Sequence, residues 1–595
     1  MDTTGYNIPI CSSNNIHNCS YYPPVSGYAY YDVNDDCVFD QNETGLSGRV
    51  IQLDDESYAI TDSSGYYFSV VDTGEHTINQ VHDNLLWDIV CPGIPYNVDF
   101  TAYSDSASNI NFPNSALENC SWLWVDIASP FQRRCFQNTY RVDYCNRGTV
   151  AESNAFIEIT FETEVIPLSS SLPWSSVSGN TYRFDIGYLD VEDCGWFTIT
   201  DSISCDAFIG QTACATAIIY PVSPCLTGDN GWDNSSIQAT GKCTGNSNIE
   251  FVLKNTGTGN MAGQSFYRIF EDNVLITANG AFQLSANDSI VIPISASGKT
   301  YRIEAEQRSG HPGNSLPRAS VEYCGNPQFS QGQITAVAED DADDYIETDC
   351  KVIIASYDPN DKTVIPSGIG TAHYIKPDDF LEYMIRFQNT GTDTAFTVEI
   401  VDTLANLVVD PLTFESGAAS HPYSVSMRGN GIITWRFANI LLPDSNVNEM
   451  ASHGFIKYKI KQRSGNVNGT VVNNTAHIYF DYNAAIVTNT SSVTISDTLI
   501  LPGMNEMNNQ NDVTILVYPN PFSNETTLEI KTALIYKKGV VELRDGFGRL
   551  LNSYSISTGL SHVKVKRNNL SAGLYFYSVI LDDRITSNGK LVIQN

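Results

Sequence analysis

Leu381-Glu382-Tyr383-Met384-Ile385-Arg386-Phe387-Gln388-Asn389-Thr390-Gly391-Thr392-Asp393-Thr394-Ala395, running straight into Phe396-Thr397-Val398-Glu399-Ile400, reads as two apolar strands around one polar turn. Each flank alternates with the two-residue period of a strand, and the Asn-Thr-Gly between them is turn chemistry. The device recurs upstream as Tyr144-Cys145-Asn146-Arg147-Gly148-Thr149 and as Lys254-Asn255-Thr256-Gly257-Thr258. The copies stand roughly 110–135 residues apart, about one immunoglobulin-like sandwich each. The Asn-x-Gly predicts a tight hairpin turn with positive φ. A phosphate cradle at Gly257-Thr258-Gly259 fails, because no helix signal follows and the sister copies lack the second glycine.

The rest of the chain follows the same grammar. Of 595 residues, 42% are apolar and only 17% charged, so real cores form and wholesale disorder is excluded. Helical periodicity is nearly absent, and the fold class is all-β: tandem β-sandwich modules, prealbumin-like and immunoglobulin-like, ending in a small β-sandwich. A net charge of −34 repels phosphate backbones and anionic membranes, so no nucleic acid partner is expected. No apolar run reaches the ~18 residues of a spanning helix, so no transmembrane helix is expected.

The fourteen cysteines all lie within the first 350 residues, at 11, 19, 37, 91, 120, 135, 145, 194, 205, 214, 225, 243, 324 and 350. An even count without Cys-x-x-Cys pairs predicts disulfides from an oxidising compartment rather than zinc. The sequence leaves the connectivity open. Cys135–Cys145 suits a hairpin clasp and Cys243–Cys324 brackets one domain. An exported protein carries a leader, and Met1-Asp2-Thr3-Thr4-Gly5 is not one, which is the expectation for a mature form or a fragment.

Seven segments result: a lead at 1–24, modules at 25–95, 96–222, 223–349 and 350–495, a flexible linker at 496–512 and a final domain at 513–595. The acidic run Glu339-Asp340-Asp341-Ala342-Asp343-Asp344-Tyr345 reads as a solvated linker, with an interdomain cation site as the other reading. The final domain carries about +4 against about −38 for the remainder.

Three resemblances sharpen this outline. Val25-Ser26-Gly27-Tyr28-Ala29-Tyr30, Arg49-Val50-Ile51-Gln52-Leu53 and Thr61-Asp62-Ser63-Ser64-Gly65-Tyr66-Tyr67-Phe68 resemble SdrD B-like repeats of bacterial surface proteins. Ser356-Tyr357-Asp358-Pro359-Asn360-Asp361-Lys362, the opening stretch, and Ile478-Tyr479-Phe480-Asp481-Tyr482-Asn483 resemble an uncharacterised sandwich domain of secreted Bacteroidota proteins. Val517-Tyr518-Pro519-Asn520-Pro521-Phe522, Gly546-Phe547-Gly548-Arg549-Leu550, Leu570-Ser571-Ala572-Gly573-Leu574-Tyr575 and Gly589-Lys590-Leu591-Val592-Ile593 resemble the type A C-terminal sorting domain of type IX secretion. That resemblance implies the type IX translocon and sorting machinery as partners, and removal of the tail with attachment to surface lipopolysaccharide. It also implies the extracellular space or outer-membrane surface of a Gram-negative bacterium as the location.

No catalytic constellation emerges: there is no Gly-x-Ser-x-Gly, His-Glu-x-x-His or Walker loop, and the nine histidines are dispersed. The expectation is a non-enzymatic adhesin, stalk or surface-assembly subunit, in contact with glycans or other surface proteins. The alternatives are the non-catalytic part of a secreted hydrolase and a carbohydrate-binding protein. For the last, Trp122-x-Trp124 places two rings on one strand face, although core packing is the stronger reading of them.

The sharpest candidate site is Asp32-Val33-Asn34-Asp35-Asp36-Cys37-Val38-Phe39-Asp40-Gln41-Asn42-Glu43. Counting from Asp32, oxygen donors fall at positions 1, 3, 5, 9 and 12, namely Asp32, Asn34, Asp36, Asp40 and Glu43, with the Val38 carbonyl at position 7. This is EF-hand spacing and predicts Ca2+. SdrD B-like repeats carry calcium in a similar loop, so that resemblance implies the same ion. Cys37 takes the sixth position, normally glycine, and a disulfide to Cys91 would hold the bend instead.

Overall fold

A computed structural model describes residues 9–11, 19–40, 42–54, 57–81, 86–89, 91, 94–222, 231–245, 247–314, 316–325, 330–354, 360–377, 379–405, 407–429, 431–497, 513–532, 538–544, 549–556, 562–568, 570–581 and 584–594. Cys225, Ser356–Pro359, the 498–512 linker and Gly546–Gly548 lie outside these residues. The described chain is all-β: strands throughout, with two single 3-10 turns at Pro411–Thr413 and Met450–Ser452. It forms two compact units, residues 1–499 and 500–595.

The first module sets Tyr66–Val70, Pro24–Tyr31, Phe112–Ala116 and Trp87–Asp88 in one sheet. Ser57–Ile60, Val50–Leu53, Gly74–Gln80 and Tyr96–Phe100 form the other. Its core includes Val25, Ala29, Ile51, Leu53, Tyr67, Ile78, Phe100 and Phe112. Two strands beyond residue 95 therefore belong to it, and Phe112–Ala116 joins by parallel pairing with Ala29–Tyr31.

The next sandwich pairs Leu123–Ala128, Gln137–Asn146, Cys194–Ile203 and Val165–Ser170 against a six-stranded sheet built around Thr212–Tyr220 and Glu152–Phe161. Ile346–Ile354 also belongs to that second sheet, antiparallel to Thr212–Tyr220. The division at 349/350 thus falls inside a strand. The sandwich formed by 237–321 is an insertion, leaving after Tyr220 and returning at Ile346. The Cys214–Cys350 disulfide ties the two strands at its root.

The acidic run before Ile346 is folded, not a solvated linker. Asp343 is buried and accepts the Asn314 N–H, the Trp122 indole donates to Asp344, and the Thr348 N–H reaches Asp341. The residue 360–495 sandwich centres on Trp435, Tyr383, Tyr458 and Phe387, all buried. In the second unit, Val513–Tyr518, Glu525–Thr532 and His562–Lys566 form one sheet and Gly539–Arg544 lies central in another, around Leu528, Val541, Val565 and Val579.

The recurring Asn-x-Gly turn is not a hairpin. After Asn146, Asn255 and Asn389 the chain crosses from one sheet of the sandwich to the other. Gly148, Gly257 and Gly391 do not have positive φ. At Gly148 and Gly257 the glycine is required by close approach: a Cβ would lie 2.3 Å from the Trp122 N and 2.3 Å from the Asn234 O, respectively. The asparagine is the working part. Asn255 accepts the N–H groups of Ser236 and Gly257 and donates to the carbonyls of Gly259 and Leu284. Asn146 accepts from Trp122 and Gly148 and donates to Val150 and Leu189. Asn389 accepts from Gly391 and donates to Asp393 and Leu442. Each buried carboxamide plugs a sandwich corner whose backbone would otherwise stay unpaired.

Within the first unit the modules interlock. Lys457, fully buried, contacts Asp126 and Glu347 of the preceding sandwich and Glu382 of its own. The Ala418 N–H donates to the other Asp126 oxygen, and Arg147 pairs with Glu415. Val50, Tyr58 and Ile60 of the first module join the core of the 360–495 sandwich.

Candidate metal centre in the first module

The loop leaves the end of Pro24–Tyr31 and returns at Thr44, where the Tyr31 N–H donates to the Thr44 carbonyl. The Asp32 N–H donates to the carbonyl of Asn114, so the first loop residue is pinned to the neighbouring strand. Asp32 is buried, and its carboxylate accepts the N–H groups of Asp36 and Cys37 at 3.2 and 2.9 Å. Asn34 Oδ1 accepts from Asp36, Asp36 Oδ1 from Val38, and Glu43 Oε2 from Asp40. These bonds coil the segment so that side chains two residues apart converge.

Convergence is direct for three of them. Asn34 Nδ2 lies 3.1 Å from Asp36 Oδ2 and 3.4 Å from Asp40 Oδ2. Cys37 has φ of 63° and Asp35 of 57°, the left-handed conformation that glycine otherwise supplies. The Cys37–Cys91 disulfide fastens that bend to the module. Both sulfurs lie close to Asp32, but as a disulfide they offer no thiolate to a metal.

Glu43 completes the arc. Its Oε1 is buried without a hydrogen-bond partner. Burial raises its carboxyl above the ordinary range; the Asp40 N–H opposes the rise and the Asp32 carboxylate adds to it. Tyr30 is pushed upward by burial and by the carboxylates of Asp32, Glu43 and Asp36. The loop thus collects carboxylates around the Asn34 carboxamide, with one Glu43 oxygen unpaired. Val38 has its side chain exposed, and Gln41 lies outside the described residues. The supports not read from the sequence are Asn114, Ser115, which donates to Asp35 Oδ1, and Phe39, stacked on Tyr28 at 4.8 Å. Asn114 and Ser115 come from a strand some 80 residues away, so no local motif announces them.

The tryptophan pair is engaged elsewhere. The Trp122 indole is held by Asp344, and the buried Trp124 ring lies under the Arg147 guanidinium at 4.1 Å. Cys135 bonds Cys205 and Cys145 bonds Cys194, so the Cys135–Cys145 clasp does not form. Cys243–Cys324 does, and no described cysteine is free.

Comparison with known proteins places two segments of this outline. Residues 516–594 match the family described as secretion system C-terminal sorting domain, and residues 358–494 match a domain of unknown function, DUF7619. No curated protein matches the chain. Solved structures similar to it include BcpA, the major pilin subunit of Bacillus cereus, at 14% identity and TM-score 0.17, covering 61% of this chain and 96% of that one. The RrgB pilus protein of Streptococcus pneumoniae aligns at 8% identity and TM-score 0.22, covering 80% and 94%. The collagen-binding domain of a Staphylococcus aureus adhesin aligns at 12% and 0.15, covering 24% and 98%. Scores this low mean no common superposition, and the fold rests on the sheets described above. The chain is a modular all-β protein that ends in a type IX C-terminal sorting domain. It is exported to the cell surface or the extracellular space, and that tail is its link to the sorting machinery.

Proposed function

We propose that this protein is a non-catalytic structural component of the cell surface, an adhesin, stalk or assembly subunit, with a calcium ion clamping its first module. The observation that carries the structural role is the interlocking around Lys457: its charge is met by carboxylates from two different sandwiches, so the sandwiches hold as one block. A block of that kind suits a load-bearing or ligand-presenting part. Lipopolysaccharide attachment after tail removal would fix it to the membrane, with glycans or other surface proteins as its contacts. Deleting the gene should reduce attachment to surfaces or to other cells; attachment equal to wild type in all such assays would defeat the role.

Calcium would be held by Asp32, Asn34, Asp36, Asp40, Glu43 and the Val38 carbonyl, and would supply charge neutralisation, not chemistry. Calcium at 100 times its Kd would stabilise the module by about 2.7 kcal/mol. Titrating calcium into the chelator-treated full chain should give one saturable heat, lost in Glu43→Gln. No heat in the native chain removes the site while leaving the surface role standing.

A further inference from the structure

The 360–495 sandwich has no cysteine, yet one pair of side chains in its core is placed to make a covalent tie. Lys362 lies on Lys362–Ile365, in the sheet with Phe380–Gln388 and His453–Lys461. Asp402 lies on Ala395–Thr403, in the opposite sheet. Both side chains are fully buried, and Lys362 Nζ is in direct contact with Asp402 Oδ2. Tyr458 Oη lies 3.1 Å from that Nζ and donates to Asp402 Oδ2 at 2.8 Å. The rings of Tyr383 and Tyr458 flank the ammonium at 4.5 and 5.3 Å, and Asn474 donates to the Tyr458 oxygen at 2.9 Å.

As an ion pair this arrangement is poor. Asp402 Oδ1 is buried without a partner, and Asn474 Oδ1 is too. A carboxylate with one bare oxygen in an aromatic core keeps much of its desolvation cost. Burial lowers the pKa of Lys362, and Asp402 opposes that shift. One proton transfer along the contact turns the pair into a neutral amine and a neutral acid, which such a core accommodates better.

We propose that Lys362 and Asp402 condense to an amide that links the two sheets of this sandwich. The Nζ lone pair attacks Cγ of the protonated carboxyl and a C–N bond forms. The C–O bond then breaks, and the departing hydroxyl leaves as water with a proton taken from nitrogen. No oxidant or external reactant is needed. Tyr458, hydrogen-bonded to both groups, is placed to relay that proton. Water opposes such condensation in solution, but here the Lys362 nitrogen is held against the Asp402 carboxyl and both side chains are shut off from solvent. The amide would also abolish both charges at once. The backbone of Lys362 is fixed for this by Asn489, which accepts its N–H and donates to its carbonyl.

The test is mass spectrometry of the full chain, reduced, alkylated and denatured. The expected intact mass is one water below that of the sequence with all cysteines alkylated. A tryptic digest should yield one branched species joining the peptides that carry Lys362 and Asp402, with no cleavage after Lys362. Lys362→Met and Asp402→Ala should each restore the full mass; since either could fold poorly, the native chain alone decides. Tyr458→Phe should slow formation after synthesis, seen as a mixture of linked and unlinked chains. A native mass without the loss, with ordinary cleavage after Lys362, overturns the proposal. So does a loss of ammonia with the branch mapped to Asn474, which would make the carboxamide the acyl donor.

Discussion

Asn255→Ala tests whether the repeated asparagine holds the sandwich corner. The wild-type side chain is fully buried and makes four hydrogen bonds, to Ser236 N, Gly257 N, Gly259 O and Leu284 O. The Leu284 carbonyl keeps a second donor, the Met261 N–H, so truncation strands three backbone groups. At roughly 1 kcal/mol for each unsatisfied group as a floor, the inserted sandwich should lose about 3 kcal/mol, with a further contribution from the cavity. Asn255→Asp separates donors from acceptors: it keeps the oxygen facing two N–H groups but turns a second oxygen on two carbonyls, and should be as harmful as alanine. The chain has several modules, so a single melting point would blur the effect. Hydrogen exchange of the full chain, followed by mass spectrometry, localises it: peptides over 236–257 should exchange roughly a hundredfold faster for such a loss. If their protection changes less than about threefold, under ~0.7 kcal/mol, the carboxamide is not what holds the corner.

Further outcomes follow from buried charge and from the tail. Asp201 is fully buried, and burial raises its carboxyl to about 7 against the opposing pull of Asn138 and Gln132. Raised above its unfolded value near ~3.9, it favours folding below that value and loses this stability as pH rises through about 7. Urea midpoints should therefore be higher at pH 5.5 than at 8.5, and Asp201→Asn should flatten the difference; an unchanged slope in the variant refutes the assignment. Lys457→Met leaves Asp126, Glu347 and Glu382 crowded without their central cation, and should cost about 3–5 kcal/mol, read as protease sensitivity of the first unit; resistance equal to wild type would contradict this. Deleting 513–595 should strand the protein in the periplasm, and surface-bound wild type should lack this segment; intact tails on surface material would speak against it.

Alternation and turn residues expose the strands, the threefold Asn-x-Gly repeat and the loop spacing at Asp32–Glu43, because all are local. Cys37 was an anomaly in the sequence and is intelligible in the structure, where its φ of 63° and its bond to Cys91 replace a glycine. What stayed hidden is non-local. Nothing beside Phe112 says that it pairs in parallel with Ala29, and nothing beside Ile346 says that the chain is returning to a sheet left at Tyr220. Asn-x-Gly predicts a hairpin, but a sheet-crossing corner uses the same residues for another purpose. Cys145 sits ten residues from Cys135, but it lies directly opposite Cys194 across a strand pair, and register outweighs proximity. Lys362 and Asp402 are each unremarkable in sequence, since only closing the sandwich brings them together.

The strand Ile346–Ile354 explains why these modules act together. Its Cys350 is bonded to Cys214, and its Asp349 accepts from Ser129, both within the second sandwich. Its Glu347, two residues before Asp349 and so on the same face of the strand, meets Lys457 and Lys459 of the next sandwich. One strand thus closes the insertion covalently and supplies the counter-charge for its neighbour's buried lysine. If the 360–495 sandwich folded without the second sandwich, which supplies both Asp126 and Glu347, Lys457 would keep only Glu382, and two of its three carboxylate contacts would be missing. A buried ammonium so poorly matched is costly, so completion of that sandwich depends on the second one having formed. Disulfides brace the cysteine-bearing part of the chain, and matched buried charge carries that bracing into the part without cysteines.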